Sequence, residues 1–375
     1  SFGVDTANSL SAITRDLGKS AYIQSWSFGF QKQIRGNILL EADYVGNKGT
    51  RLPSLRFQGK QLPPWHWGKG ALLTRNIRDP AVAAAGFAPP YPSFRSTTLA
   101  RALTMLPQYD RFTPNVADGM STYHSVQMKA QKRFSHGLSF LFSYTLSKLI
   151  SDSNSQLLRP AFGSVSARDS YNKSLEKGIV SDDRTHVASI SFLYELPFGP
   201  GKPFLKQKGI SQYIFGGWQV NGVLSYASGY PLTIGGNVNL LPAGGVGENR
   251  IVTPDAVSGV ARGLAQSGKW QPGVSVYANA AAWSQVSGYR IGTSPYILAD
   301  LRGFASKNEN LAVFKSFDFN ERVKFQIKAE ALDVFNRFVP SDPNMAWNPA
   351  NVQWGKTYGQ GNSPRVLQLG AKLTF

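Results

Sequence analysis

Apolar and polar residues alternate along several stretches of the chain, most clearly in its last eleven residues, 365–375. Side chains point to opposite faces along a β-strand, so such alternation predicts a strand with one apolar face. About ten alternating residues are also what a tilted transmembrane strand needs to cross a bilayer. A strand in a soluble sandwich is the alternative, although such a strand would not usually end the chain on an aromatic residue. We interpret the apolar set as a barrel-insertion signal formed by Leu369, Ala371, Leu373 and Phe375.

Eight further segments alternate in the same way, and with the terminal segment they predict nine strands. These segments are 24–33, 38–44, 123–134, 138–145, 185–196, 218–226, 310–319 and 322–335. The predicted connections are short at 35–36, 135–137 and 320–321, intermediate at 197–215, and long near 47–120, 148–183, 230–308 and 336–363. Residues 1–23 are predicted as a loop that leads into the first strand. Short and long connections therefore alternate, as they do in outer-membrane barrels, where the turns are periplasmic and the long loops extracellular.

The two faces of the predicted strands differ in chemistry. The residues predicted to face lipid are bulky and apolar: Trp26, Phe28, Phe140, Phe142, Phe192, Trp218, Leu224, Phe325, Leu369 and Leu373. The residues predicted to face a lumen are polar or charged: Gln127, Lys129, Gln131, Lys324, Gln326, Lys328, Gln368 and Lys372. Aromatic residues near strand ends are typical of the girdles of membrane barrels. The predicted fold class is therefore all-β, an antiparallel transmembrane β-barrel with long extracellular loops, and 1–375 forms a single barrel portion with no plug domain.

The number of strands predicts that the barrel is larger than this chain. Complete single-chain bacterial barrels have an even number of strands and both termini on the periplasmic side. Nine strands, or about ten if one lies within 1–23, are therefore expected to be the C-terminal portion of a larger barrel. Because an open strand edge in hydrocarbon leaves backbone groups unpaired at several kcal/mol each, we expect the edges at 24–33 and 365–375 to pair with strands from a missing N-terminal part or from another chain.

Composition narrows the chemistry that the chain can perform. The chain has 37 glycines, 12% aromatic and 17% charged residues, and no apolar run near the ~18 residues of a transmembrane helix. Cysteine is absent, which excludes thiolate metal sites and cysteine nucleophiles. The four histidines match no metal-binding spacing, and Asp182-Asp183, which we interpret as rim residues beside Arg184, offer too few ligands for calcium. No spacing suggests a catalytic triad. We therefore predict no enzyme activity, no metal and no cofactor.

Basic residues are the chemical signal that has a pattern. The chain has a formal net charge of +18, and segment 47–120 holds ten Lys or Arg against three Asp. This charge predicts contact with lipopolysaccharide phosphates or, alternatively, capture of an anionic solute. Trp65-His66-Trp67 either packs the loop or stacks on a sugar or aromatic ligand. A nucleic-acid partner is not expected, because no basic helix or RNA-binding signature accompanies the charge. The candidate ligand or lipopolysaccharide contacts are Trp65, His66, Trp67, Lys69, Arg75, Arg78, Arg95 and Arg101.

Six short motifs add a resemblance to a known family. They are Gln24–Gly29, Tyr44–Gly49, Ser143–Lys148, Asp182–His186, Ala331–Asn336 and Pro364–Gly370. In this order they resemble the C-terminal barrel of TonB-dependent outer-membrane receptors, and most of all the Oar-like branch, which carries a carboxypeptidase-regulatory-like domain. The resemblance covers the chain from about residue 21 to its end.

The resemblance implies a 22-stranded barrel with a plug, located in the bacterial outer membrane, that imports a scarce or large solute with energy from TonB. The implied partners are outer-membrane lipid and lipopolysaccharide, the missing barrel strands and plug, and TonB through that missing part. Two other functions stay open. One is a structural barrel fragment whose basic extracellular loops dock lipopolysaccharide or another surface component, and the other is a soluble β-rich binding protein.

Overall fold

Within the described residues, nine long β-strands form one antiparallel sheet. The computed structural model describes residues 9–10, 19–54, 61–109, 111–112, 116–153, 167–199, 201–205, 210–236, 241–242, 251–265, 269–319 and 322–375. The strands are β1 (Tyr22–Ile34), β2 (Ile38–Ser54), β3 (Val116–Ser135), β4 (Leu138–Ser151), β5 (His186–Glu195), β6 (Trp218–Ala227), β7 (Ser306–Asp318), β8 (Lys324–Leu332) and β9 (Val366–Thr374). This number of strands and their antiparallel pairing confirm the predicted fold class.

The order of strands in the sheet is the order of strands in the chain, so each strand pairs with the next. The two-residue strand Gly178–Ile179 adds to the end of β4. Among the described residues, β1 pairs only with β2 and β9 pairs only with β8, and the sheet is open between them. The two edges are therefore not hydrogen-bonded to each other in a small closed barrel.

The connections alternate between the two ends of the sheet because every neighbouring pair is antiparallel. Residues 35–37, 136–137, 196–217 and 319–323 connect strands at one end, which we call the short-turn end. His136 and Gly137, with φ of 54° and 78°, form a two-residue turn with both φ positive, the type that suits a twisted hairpin. The longer connection 196–217 contains helix α3 (Ile210–Phe215). The turn predicted at 320–321 lies outside the described residues.

The long connections all lie at the opposite end, the loop end. They run over 55–115, 152–185, 228–305 and 333–365, and their described residues are called the loop layer here. The first is shorter than the predicted 47–120, because β2 and β3 continue their pairing past the segments that alternate clearly. Irregular register between Thr50 and Ser54 allows this pairing to continue through Pro53.

The strand register confirms that each of the two predicted sets of residues shares one face of the sheet. Phe140 pairs with Phe192, Phe325 pairs with Leu373, and the pairings in between place all ten predicted lipid-facing residues on one face of the sheet. The eight polar residues predicted to face the lumen lie on the other face by the same pairings. The barrel-insertion residues belong to the apolar face, where Leu369 is 80% exposed and Phe375 is 93% exposed.

The loop layer, and not the sheet, holds most of the buried apolar side chains. Among the described residues, strands β1 to β9 contribute three buried apolar residues, Ala117, Ala227 and Ala312. The loop layer has helices α1 (Pro80–Ala84) and α2 (Leu99–Ala102) and the 3-10 helices Pro64–Thr74, Lys173–Glu176 and Ala280–Ala282. Among the described residues, every helix falls short of the length and apolar character that a membrane span requires. The remaining short strands are Ser9–Leu10 with Arg111–Phe112, Pro231–Thr233 with Ile297–Arg302, and Asp255–Ala256 with Trp283–Ser284.

Candidate functional site

The third and fourth long connections pack together around tryptophan. Trp283 and Trp354 meet edge to face with ring centroids 5.2 Å apart. Their indole N–H groups donate to Ser294 Oγ at 3.2 Å and to the Ala278 carbonyl at 2.9 Å, so the polar end of each buried ring is satisfied. The cluster is composed of Leu232, Ile234, Ala278, Ala282, Trp283, Val286, Leu298, Leu301, Met345, Trp347 and Trp354. These two connections therefore form one packed unit.

The first long connection has its own core and also packs on the third. Its internal core is composed of Ile77, Val82, Phe94, Leu99 and Ala102. A second cluster joins Leu62, Leu73 and Ala100 to Leu241, with Tyr289 and Ile291 packed against it. Asp79 begins α1 by accepting a hydrogen bond from the Ala81 N–H at 2.8 Å. Segments that the sequence predicted as irregular loops are thus held by ordinary apolar packing.

A buried polar network connects the first three long connections. The Gln61 side chain donates to Asp169 Oδ1 at 2.7 Å and accepts from the Ser170 N–H at 2.6 Å. Arg168, which is 4% exposed, donates to the Gly292 carbonyl at 2.6 Å, and its backbone N–H donates to Glu176. Burial lowers the pKa of Arg168, while the carboxylates of Glu176 and Asp169 oppose that shift. Buried polar groups that are paired in this way fix the relative position of the segments that supply them.

Two Arg–carboxylate pairs hold the long connections in place at the loop end of the sheet. Arg302 donates to Asp183 Oδ2 at 2.6 Å and to the carbonyls of Asp183 and Gly229. Asp183 also accepts from the Leu149 N–H at 2.7 Å, so the carboxylate joins β4 to the third long connection. Asp183 is a buried residue and its partner is Arg302, whereas the sequence suggested a rim position beside Arg184. At the fourth long connection, the Arg337 guanidinium binds the buried carboxylate of Glu309.

The Trp-His-Trp segment lies in the 3-10 helix Pro64–Thr74 with its rings in different environments. Trp67 packs against the apolar cluster of the first and third connections and donates to the Leu62 carbonyl at 3.0 Å. Trp65 is exposed and meets Tyr171 edge to face at 5.5 Å, with His66 beside it at 5.9 Å. Partial burial, and secondly the charge of Lys69, lower the pKa of His66. Trp67 thus packs the loop, while Trp65 offers an aromatic face to solvent.

The predicted basic contacts divide into exposed and buried groups. Arg75 and Arg78 are exposed at α1, where Arg75 donates to Asp79 at 3.2 Å and Arg78 donates to the Phe94 carbonyl at 2.7 Å. The Ala81 N–H, and secondly Arg75, lower the pKa of Asp79. Lys69 lies 5.2 Å from the centre of the Phe87 ring, and Arg95 is half-buried. Arg101 is 5% exposed and donates to the Tyr109 carbonyl, so its guanidinium stabilises the loop and is not presented at the surface.

The polar face of the sheet carries paired charges, one pair across neighbouring strands and one within a strand. Lys129 lies 3.2 Å from Glu41, which also accepts from Gln31 at 2.9 Å. Lys328 and Glu330 form a second pair at 2.8 Å. This face can line a water-filled passage, because its polar groups have both protein partners and access to solvent.

Sequence reasoning missed two tyrosine–histidine pairs at the loop end of the apolar face. The Tyr44 hydroxyl and His124 Nδ1 share a hydrogen bond of 2.6 Å, and Tyr144 and His186 repeat the arrangement at 2.8 Å. In both pairs the rings stack, with interplanar angles of 21° and 27°. Alternation alone assigns these residues to the apolar face, but the pairing depends on strand register, which no short motif encodes.

Comparison with a family model agrees with this architecture. The family model described as "Outer membrane beta barrel domain" matches residues 2–368. Among solved structures, the outer membrane transporter YddB from Escherichia coli is similar with 12% identity and a TM-score of 0.44, over 99% of this chain and 35% of that one. FpvA of P. aeruginosa, solved with heterologous pyoverdines, is similar with 8% identity and a TM-score of 0.37, over 93% of this chain and 26% of that one. The chain thus spans about a third or less of the length of either, and no curated protein matches it significantly. Because the family model covers nearly all of its residues, the chain belongs to the outer membrane beta barrel domain family and is an outer-membrane protein.

Proposed function

We propose that the chain forms the wall and outer loops of a receptor that binds a scarce or large solute and admits it with energy from TonB. Binding and passage require no reaction, so the proposal includes no catalysis. The observation that carries it is the loop layer, in which the four long connections pack on one another at one end of the sheet.

A structural anchor in the membrane would not need such a layer, whereas a receptor gains from it. Immobilising a side chain on binding costs about 0.5–1.5 kcal/mol, so loops that are already ordered retain more of the energy of their contacts. The polar face of the sheet would line the passage below the loops. The resemblance of six motifs to TonB-dependent receptors supports the choice of energy source.

The exposed loop residues favour an anionic solute. Arg75 and Arg78 lie at one turn of the first long connection, and arginine binds carboxylates and phosphates through its planar fork of donors. Trp65 and Tyr171 supply an aromatic surface that could stack on a sugar or aromatic group.

Photo-crosslinking to TonB tests the proposed energy source. The complete protein, in outer-membrane vesicles, would be mixed with the purified periplasmic domain of TonB that carries a photoreactive residue. We expect a specific cross-link. Its absence, with the protein correctly inserted, would contradict TonB-dependent import and favour the alternative of a surface-docking barrel.

Uptake of a labelled oligogalacturonate, an acidic oligosaccharide, tests the solute class in energised cells. We expect the double variant R75Q/R78Q to reduce uptake about tenfold, as loss of charge-assisted hydrogen bonds predicts. R35Q/R322Q, which makes the same two substitutions in the connections 35–37 and 319–323 at the short-turn end, is the matched control and should leave uptake within about twofold. Equal uptake by both variants would exclude this turn as the binding surface.

A further inference from the structure

A basic patch lies on the outer face of the barrel wall, apart from the loop layer. Trp26, Gly46, His124 and Lys148 are direct cross-strand partners on β1 to β4, and Lys48 lies two residues nearer the loops on β2. All five positions belong to the apolar face. We call Lys48, His124 and Lys148, with Trp26 and Tyr44, the outer-rim patch.

The patch marks the boundary of the apolar band. The next row toward the short turns is apolar or aromatic and consists of Phe28, Tyr44, Val126 and Leu146. The row that contains Lys48 consists of Gln24, Lys48, Thr122 and Ile150, and a further row of Tyr22, Thr50 and Met120 follows toward the loop end. Tryptophan and tyrosine concentrate where a barrel meets the lipid headgroups. With long loops outside, as in outer-membrane barrels, the outer-rim patch lies at the headgroup level of the outer leaflet.

No carboxylate lies in the patch or next to it. The patch and the rows beside it contain no Asp or Glu, and neither Lys48 nor Lys148 forms an ion pair with any described residue. Lys129, on the opposite face of β3, is in contrast paired with Glu41 at 3.2 Å. Both lysines of the patch are exposed. The charge is therefore complementary to an anion outside the protein.

The geometry suits one phosphate group. Cross-strand neighbours such as His124 and Lys148 have Cβ atoms about 5 Å apart, and Lys48 is a diagonal neighbour of His124 at about 7–8 Å. The flexible four-carbon stems let both ammonium groups reach a group above the imidazole. When the Tyr44 hydroxyl donates to His124 Nδ1, the ring proton is on Nε2, which becomes a third donor.

Gly46 makes room for the aromatic part of the patch. A Cβ atom at this position would lie 2.4 Å from Trp26 Nε1, so the indole lies across β2 directly over the glycine. The ring meets His124 edge on at 6.3 Å. The indole thus forms a flat apolar surface next to the cationic groups, which suits a phosphorylated sugar better than a free ion.

We propose that Lys48, His124 and Lys148 bind a phosphate of lipid A, the lipid anchor of lipopolysaccharide, with Trp26 against its sugar. The site is separate from the loop residues of the proposed receptor function and does not depend on that function. Its occupant is a resident lipid of the outer leaflet.

Lipid retention tests this proposal on the complete protein in nanodiscs free of lipopolysaccharide. The probes are purified lipid A, the same lipid after phosphatase treatment, phosphatidylglycerol and inorganic phosphate, with binding counted by native mass spectrometry. We expect lipid A to bind about tenfold more tightly than its dephosphorylated form, and K48Q/K148Q to remove that preference. K324Q/K372Q, which makes the same change in charge on the polar face, should keep the preference for phosphorylated lipid A. Heat-dependent gel mobility confirms that each variant is folded.

Three outcomes would overturn the proposal. Equal binding of phosphorylated and dephosphorylated lipid A would show that no phosphate is recognised. Unchanged preference in folded K48Q/K148Q would place the site elsewhere. Binding of phosphatidylglycerol or inorganic phosphate as tight as that of lipid A would identify a general anion site in place of a lipid A site.

Discussion

The pair between Asp183 and Arg302 is expected to be the main electrostatic link between the second and third long connections. The Asp183 side chain is 1% exposed, that of Arg302 is 20% exposed, and their closest atoms are 2.6 Å apart. Removing one partner of a buried pair leaves the other uncompensated and costs about 3–5 kcal/mol. In D183N, Arg302 stays partly solvated and keeps two carbonyl acceptors. We therefore expect D183N to lower the free energy of unfolding by about 2–3 kcal/mol.

A pair of the same chemistry and length supplies the control. Arg262 and Asp300 are also 2.6 Å apart, but their side chains are 22% and 59% exposed. Exposed ion pairs contribute about 0–1 kcal/mol, so D300N should change stability by less than about 1 kcal/mol. The comparison varies burial while the chemistry and the distance stay the same.

Both effects can be measured by urea unfolding in lipid vesicles, with tryptophan fluorescence from the loop layer as the signal. A double-mutant cycle with D183N, R302Q and D183N/R302Q gives the coupling energy, which we expect to be about 2 kcal/mol. If the effects of D183N and R302Q on the free energy of unfolding add within about 0.5 kcal/mol, or if D183N and D300N lower it equally, burial does not make this pair strong.

Three further changes have expected outcomes. L369R places a charge on the apolar face, which costs about 2–4 kcal/mol near mid-bilayer, and should reduce the yield of inserted protein. Q368R, on the polar face, should not reduce this yield, and equal yields of the two variants would contradict the assignment of faces. The Arg290 hydrogen bond holds the pKa of Asp255 below its ordinary value of 3.8, so this pair stabilises the fold above that pH and the stabilisation is lost as the pH falls below it. The free energy of unfolding of D255N should therefore fall less steeply with decreasing pH in the acid range than that of the unchanged protein, and an identical pH dependence would contradict the role of the pair. G46A should lower the free energy of unfolding by about 1–3 kcal/mol, because the added Cβ clashes with Trp26. G68A, whose Cβ would meet nothing within 4 Å, should change it little, and equal effects of the two substitutions would refute the close packing of the indole.

The strands and their faces could be predicted because a period of two residues is a local signal. Alternation alone places Phe140 and Phe142 on one face and Gln131 on the other, and the register confirms this separation. The ends of β2 and β3 were missed, because pairing continues through a polar and glycine-containing stretch once neighbouring strands are in place. Local propensity does not determine where such a ladder stops.

The loop layer could not be predicted because its contacts join residues far apart in sequence. Asp183 meets Arg302 across 119 residues, and Gln61 meets Asp169 across 108. No pattern within either segment specifies the partner. The same holds for the outer-rim patch, in which Lys48, His124 and Lys148 come together only through the pairing of β2, β3 and β4. The basic residues of segment 47–120 were visible in the sequence, but burial separates Arg101 from Arg75 and Arg78.

The position of β9 in the bilayer tests the central claim of a membrane-spanning wall most directly. The chain contains no cysteine, so single cysteines at 366–373 in the complete protein would each be a unique site for a bimane label, read in vesicles containing brominated lipid. The account predicts strong quenching at Leu367, Leu369, Ala371 and Leu373 and weak quenching at the four positions between them. Uniform quenching, or quenching strongest at Gln368 and Lys372, would contradict it.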